Sequence, residues 1–144
     1  MYGARLAETL PAVRERLAGA LERAGRRDEV VIVAVTKGHG VEALEALLAA
    51  GLNRFGENRV QELEAKVAAV GRERAEWHLI GHLQRNKVRR ALPLFDLVHS
   101  IDSLRLAQEL SKEAERAGRT VTGLVQVNTS GEPTKGGLRA EEAV

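Results

Sequence analysis

The chain has no cysteine. That excludes disulfides and thiolate chemistry, and it suits a reducing, cytoplasmic setting. Aromatic residues are only 3% of the total, so leucine, valine and alanine must fill the core. The same scarcity leaves little for single-stranded bases to stack on. Charge of one sign is also missing: 22 Lys and Arg stand against 20 Asp and Glu, for a net +2. Such a balance is no nucleic-acid footprint. No run reaches the roughly 20 apolar residues of a membrane helix. The opening MYGARLAETL lacks the apolar centre of a signal peptide. Neither a Walker loop nor a hydrolase nucleophile motif is present. What remains is a composition of 44% hydrophobic and 29% charged residues over 144 positions, fit for one soluble domain.

The hydrophobic pattern alternates between helix-like and strand-like periods. Leu6, Leu10, Val13, Leu17 and Leu21 recur at steps of three and four, which predicts an amphipathic helix that Gly25 stops. Pro11 should kink it or mark where its regular part begins. Residues 30–35 form a continuous β-branched run, predicted as a strand buried on both faces in a parallel sheet. Further strands are predicted at 53–55, 77–80, 97–99 and 123–127. Helices should lie between them, on Val41/Leu44/Leu48, Val60/Leu63/Val67/Val70, residues 84–92, and Leu104/Ala107/Leu110/Ala114. Asp102 and Ser103 offer capping oxygens to the last of these. Residues 138–144 read as the opening of another helix.

This βα repetition admits an open doubly wound sheet or a (β/α)8 barrel. The first strand leads into Thr36-Lys37-Gly38-His39-Gly40, which lacks the third glycine of a dinucleotide-binding turn, so the barrel is favoured. Five strands cannot close an eight-stranded barrel. Residues 1–144 are therefore read as a single barrel domain that stops short at its C-terminal end. An open sheet edge of this kind favours association or poor folding.

In such folds chemistry gathers in the loops after the strands. Lys37 follows the parity of Val31, Val33 and Val35, so its stem should leave an apolar face. Partial desolvation there would lower its pKa and free the amine to attack an aldehyde. The plain alternative is a strand-end lysine whose ammonium reaches water. His78 and His82 have a helical metal-ligand spacing, but on a strand four residues span about 13 Å, too far to share an ion. His82 is kept as a donor lining a site, and His78 as a packed or interfacial histidine. Residues 84–90 carry the one basic cluster, read chiefly as a solvated face and otherwise as a contact to a polyanion.

Taken together, the loop sequences are recognisable. Val33-Ala34-Val35-Thr36-Lys37, Phe55-Gly56-Glu57-Asn58-Arg59-Val60-Gln61-Glu62, Trp77-His78-Leu79-Ile80-Gly81-His82-Leu83-Gln84-Arg85-Asn86-Lys87, Val98-His99-Ser100-Ile101-Asp102 and Val125-Gln126-Val127-Asn128 occur in that order. They resemble the pyridoxal-phosphate homeostasis family, the YggS/PROSC-like proteins. The resemblance implies a barrel similar to the N-terminal domain of alanine racemase. It implies pyridoxal 5′-phosphate as cofactor, bound as a Schiff base on Lys37, with Asn58, His82 and Ser100 lining the site. It further implies a carrier or buffer of the cofactor without assigned catalysis, with PLP-dependent apoenzymes as partners and oligomeric state open. An alternative is a racemase-like enzyme, which would need a second acid–base group opposite Lys37; Tyr2 is the one tyrosine. A nucleic-acid or partner-binding module is a third reading.

Departures from the family pattern bear on the expectation. His39 stands where relatives often have a second lysine. Lys135 matches a lysine of the loop after strand five, followed here directly by Gly136-Gly137. The phosphate-gripping segments of the family lie in later strands. Since phosphate contacts supply most of the holding power, the 144-residue chain is expected to hold the cofactor poorly.

Overall fold

The computed structural model describes residues 1–143. Helix α1 (Tyr2–Arg23) precedes five βα steps. It is a single α-helix that runs through Pro11 instead of beginning there. Ala7, whose carbonyl Pro11 cannot serve, is an exposed residue. Of the predicted apolar stripe only Leu10 is fully buried, and Val13 is exposed. Its first half packs near Ala46, Ala49 and Ala50, whereas Val13 and Leu17 look across an open cleft at Val30, Val31 and Ile32.

The strands are β1 (Ala34–Val35), β2 (Arg54–Glu57), β3 (Glu76–Leu79), β4 (Leu97–Ile101) and β5 (Thr122–Val125). Between them run α2 (Val41–Ala49), α3 (Val60–Val70), α4 (Val88–Ala91) and α5 (Leu104–Arg116). All pairings are parallel, and the sheet order is β1-β2-β3-β4-β5. Each crossover advances one strand in the same direction, and right-handed crossovers then place the helices on a common face. A doubly wound sheet would reverse its order at a switch point, and none occurs here. The winding is that of a (β/α) barrel built to five strands, with β1 and β5 as edges.

Register decides which side chains enter the core. Phe55 pairs with Trp77, Glu57 with Leu79, and Leu79 with Val98, and all of these are buried against the helices. The Phe55 and Trp77 rings meet edge to face at 5.4 Å. Leu44, Leu63, Val88, Leu106 and Leu110 close over them from α2, α3, α4 and α5. Each fully buried side chain of this size contributes about 1.5–3 kcal/mol. Ser103 caps α5, its Oγ accepting from the Leu106 amide at 3.2 Å.

Three sequence expectations need correction. The run 30–35 is not a strand buried on both faces: only Ala34–Val35 pair, and Val31 and Val35 are 41% and 50% exposed. β1 has a neighbour on one side alone, and nothing among the described residues covers its second face. The predicted helix 84–92 is a 3₁₀ turn (Arg85–Lys87) running into the four-residue α4, which Pro93 follows. The expected helix at 138–144 is a 3₁₀ turn at Ala140–Glu142, after a bridge between Val127 and Leu138; its final residue lies outside the described residues.

Candidate functional site

The four residues singled out in the sequence stand at the C-terminal ends of β1, β2, β3 and β4. Val35 is the register partner of Gly56, and a side-chain carbon added at Gly56 would lie 3.2 Å from Ile80 Cδ1 and 3.5 Å from Val33 Cγ1. Val33, Val35, Gly56 and Ile80 therefore share the face away from the helices. Lys37 and Asn58 continue that alternation, two steps and one step beyond their strands respectively. Thr36 takes the opposite face and is buried.

Lys37 is exposed, so the desolvation expected from its apolar parity is not found. The cause is the uncovered face itself: Val31 and Val35 are half-exposed, and no apolar wall rises around the stem among the described residues. Its backbone is tightly held nonetheless. The Thr36 amide donates to Gly56 O at 3.0 Å, and the His39 amide donates to Thr36 O at 3.0 Å. Tyr2 OH meets His39 Nδ1 at 3.0 Å, which ties the start of α1 to this loop.

Asn58 and His82 come together. Both line a cleft of about 500 Å³ with Arg59, Glu62, Gln84 and Lys87. The closeness depends on Gly81, where an added side-chain carbon would fall 2.2 Å from Asn58 O. Only glycine permits the two loops to touch there. His82 is held by Asp102, whose Oδ2 lies 2.8 Å from Nδ1, leaving Nε2 for a ligand. Lys37 does not line this cleft. It connects through Glu62, which lines the cleft and accepts from the Gly38 amide at 3.2 Å.

Ser100 is placed differently from the other three. It is buried on the helix side, and its hydroxyl donates to Gly81 O at 2.6 Å. It fixes the Gly81–His82 loop and does not face the open cleft, because its parity is that of buried Val98. Asp102 was not singled out as a site residue, although its place beside Ser100 at the end of β4 was the available signal.

A second group is polar and buried: Glu57, Lys66 and Thr36. Lys66 Nζ donates to Glu57 Oε1 at 2.6 Å and to Thr36 O at 2.7 Å. Thr36 Oγ1 also donates to Glu57 Oε1. Sequence reasoning passed over Lys66, yet its position three after Leu63 and four before Val70 puts it on the buried stripe of α3.

At the other end of the strands, on the uncovered face, Arg54 Nε donates to Glu76 Oε2 at 2.7 Å. Glu76 Oε1 lies 3.0 Å from His78 Nε2, and His78 Nδ1 lies 2.8 Å from His99 Nε2. The Arg54 hydrogen bond holds the Glu76 carboxyl below its usual range. Burial, and then the charge of His78, push His99 below the usual imidazole value. His78 is thus the packed histidine that the strand reading expected.

Comparison with known proteins follows the same lines. The family described as "Alanine racemase, N-terminal domain" matches residues 9–144. A pyridoxal phosphate homeostasis protein of Aquifex aeolicus is 39% identical over 135 residues, 93% of this chain and 59% of that protein. An unknown protein from Bifidobacterium adolescentis, 36% identical, superposes with a TM-score of 0.90 over 99% of this chain and 62% of its own. PipY of Synechococcus elongatus with PLP bound, 40% identical, superposes with a TM-score of 0.68 over 85% of this chain and 56% of its own. The chain spans about 60% of the length of these relatives.

Proposed function

Because the chain belongs to the alanine racemase N-terminal domain family, we propose that it carries pyridoxal 5′-phosphate as a Schiff base on Lys37. The observation that carries this reading is the setting of Lys37. An exposed amine sits at the C-terminal end of β1, on a backbone bonded to β2, with Asn58 and His82 on the neighbouring strand ends. The names of the relatives, and the PLP bound to PipY, support the same choice of ligand.

The donor set fits the aldehyde end of such a ligand. When bound, the group supplies an aldehyde with which the Lys37 amine condenses, forming C=N and releasing water. Asn58 offers an amide and His82 an imidazole Nε2, while Arg59 and Lys87 place cationic charge at the cleft. Asp102 keeps the His82 ring in place, and Ser100 holds the carbonyl of Gly81 beside it. The role is cofactor carriage in PLP and amino-acid homeostasis within the cytoplasm, with apoenzymes that need PLP as recipients, and without catalysis. Among the described residues no helix is long and apolar enough to cross a membrane.

The test is absorption spectroscopy with added pyridoxal phosphate, then borohydride reduction and peptide mapping. At saturating pyridoxal phosphate a weak visible band that Lys37→Ala abolishes, in keeping with poor holding, is expected, with the reduced adduct on the Lys37 peptide. Adducts scattered over exposed lysines without preference for Lys37 would overturn the assignment.

A further inference from the structure

Lys37 is flanked on both sides by side chains of the next βα unit. On its N-terminal side, the Thr36 carbonyl accepts from Lys66 Nζ at 2.7 Å as well as from the His39 amide. On its C-terminal side, the Gly38 amide donates to Glu62 Oε2 at 3.2 Å. Gly38 has a φ of +75°, a conformation that frees this amide to turn toward α3. Lys66 Nζ also lies 4.0 Å from Glu62 Oε2, so the two clamps share one charge network. Its anchor is Glu57, fully buried at the end of β2, whose Oε1 accepts from both Lys66 and Thr36.

A buried ion pair is poor evidence of stability, since an apolar pair of equal volume often serves a core as well. Here Lys66 is 6% exposed in the apolar stripe of α3, and Glu57 Oε2 has no partner among the described residues. What this arrangement supplies is geometry. A compact ammonium joins a carboxylate to one peptide carbonyl, and that carbonyl belongs to the residue immediately before Lys37.

Resting on the reading of Lys37 as the carrier amine, we propose that Glu57, Lys66 and Glu62 are positioning residues that fix the backbone on both sides of Lys37. The same contacts sort the two lysines. Lys66 has its protons committed to Glu57 and Thr36 in a buried site and is withheld from the aldehyde. Lys37 is the amine left exposed. Nothing is transferred in this role, and condensation takes place at Lys37 alone.

The experiment compares the wild-type chain with Lys66→Met and Glu62→Ala. Amide hydrogen exchange is followed without ligand, and borohydride-trapped adduct at Lys37 is timed with pyridoxal phosphate. Both substitutions are expected to speed exchange at Gly38 and His39 by about tenfold. The amides of Asp96 and Gln126, bonded to Trp77 O and Ile101 O, act as controls and stay unchanged. Adduct formation at Lys37 slows by a similar factor, and in Lys66→Met no adduct moves to another buried site. Glu62 is only partly buried, so Glu62→Ala keeps the test decisive if Lys66→Met fails to fold. Unchanged exchange and unchanged trapping in the folded variants overturn the proposal. No Lys37 adduct in the wild-type chain or in a version extended to eight strands sinks the carrier reading instead, recognisable because the exchange pattern still responds to the substitutions.

Discussion

The contrast between Lys37 and Lys66 shows how much a residue type owes to its surroundings. One lysine ends an edge strand in solvent, and the other is buried with two acceptors. Histidines divide in the same way. His82 is largely exposed and held by Asp102, whereas His99 is part-buried against His78, which itself contacts Glu76. His99 titrates below its ordinary value, so as pH falls the unfolded chain takes up this proton first. Its contribution to stability is complete above the ordinary value of about 6.5 and is lost as pH falls toward the depressed folded value. Glu76 acts lower down: its depressed carboxyl stabilises above the ordinary value of about 4.3 and loses that contribution as pH falls through its folded value. Thermal melts should therefore show a drop in midpoint between pH about 7 and about 5 that His99→Gln reduces. An equal drop in that variant would exclude His99 as the cause. The placement of Lys37 and Asn58 at strand ends was legible in the sequence because they follow recognisable strand motifs. The Glu57–Lys66 pair was not, since a binary pattern assigns the stripe of α3 to apolar residues and a lysine within it is read past. The His78–His99 contact depends on the register of β3 against β4, which no local pattern encodes.

At the scale of elements, the order of strands and helices followed from periodicity, and lengths did not. The run at 30–35 has strand chemistry throughout, but pairing requires a neighbour, and β2 meets only its last two residues. Conversely β4 extends to Ile101, past its predicted end, because β5 pairs with it beyond a register shift. The turn after β3 carries the tightest requirement. Gly81 approaches the backbone of Asn58, and Ser100 Oγ holds its carbonyl from β4. Backbone atoms cannot swing aside as a side-chain tip can, so Gly81→Ala must separate the loops that bear Asn58 and His82. The expected cost is about 1–3 kcal/mol, with Lys37 trapping slowed as the cleft distorts. Ser100→Ala removes one buried hydrogen bond without adding bulk and should cost about 1 kcal/mol. Denaturant titration of both variants tests this ranking. If Gly81→Ala proved the milder of the two, the close approach at Asn58 would not govern this turn.

For the whole molecule, the governing fact is a parallel sheet with one face on helices and the other, among the described residues, without a covering layer. Parallel sheets are ordinarily covered on both faces. Here Val30, Val31 and Val35 stay exposed at one edge, and Leu124 and Val125 at the other. Among the described residues β1 and β5 also each present an unpaired row of backbone groups, which is a template for pairing with a second chain. Apolar side chains and open hydrogen-bonding groups thus coincide at both edges, and water satisfies only the latter. The 144-residue chain should associate in a concentration-dependent way, seen as a rising sedimentation coefficient over a dilution series. A charge on one edge should oppose this at small cost to the monomer, because Val125 buries little to begin with. Val125→Lys is therefore expected to shift the series toward the monomer while leaving the thermal midpoint of the dilute chain nearly unchanged. A wild-type chain that sediments as a monomer across the whole series would show that these edges do not pair. Association that survives Val125→Lys would move the contact to the β1 edge, where Val31→Lys is the corresponding test.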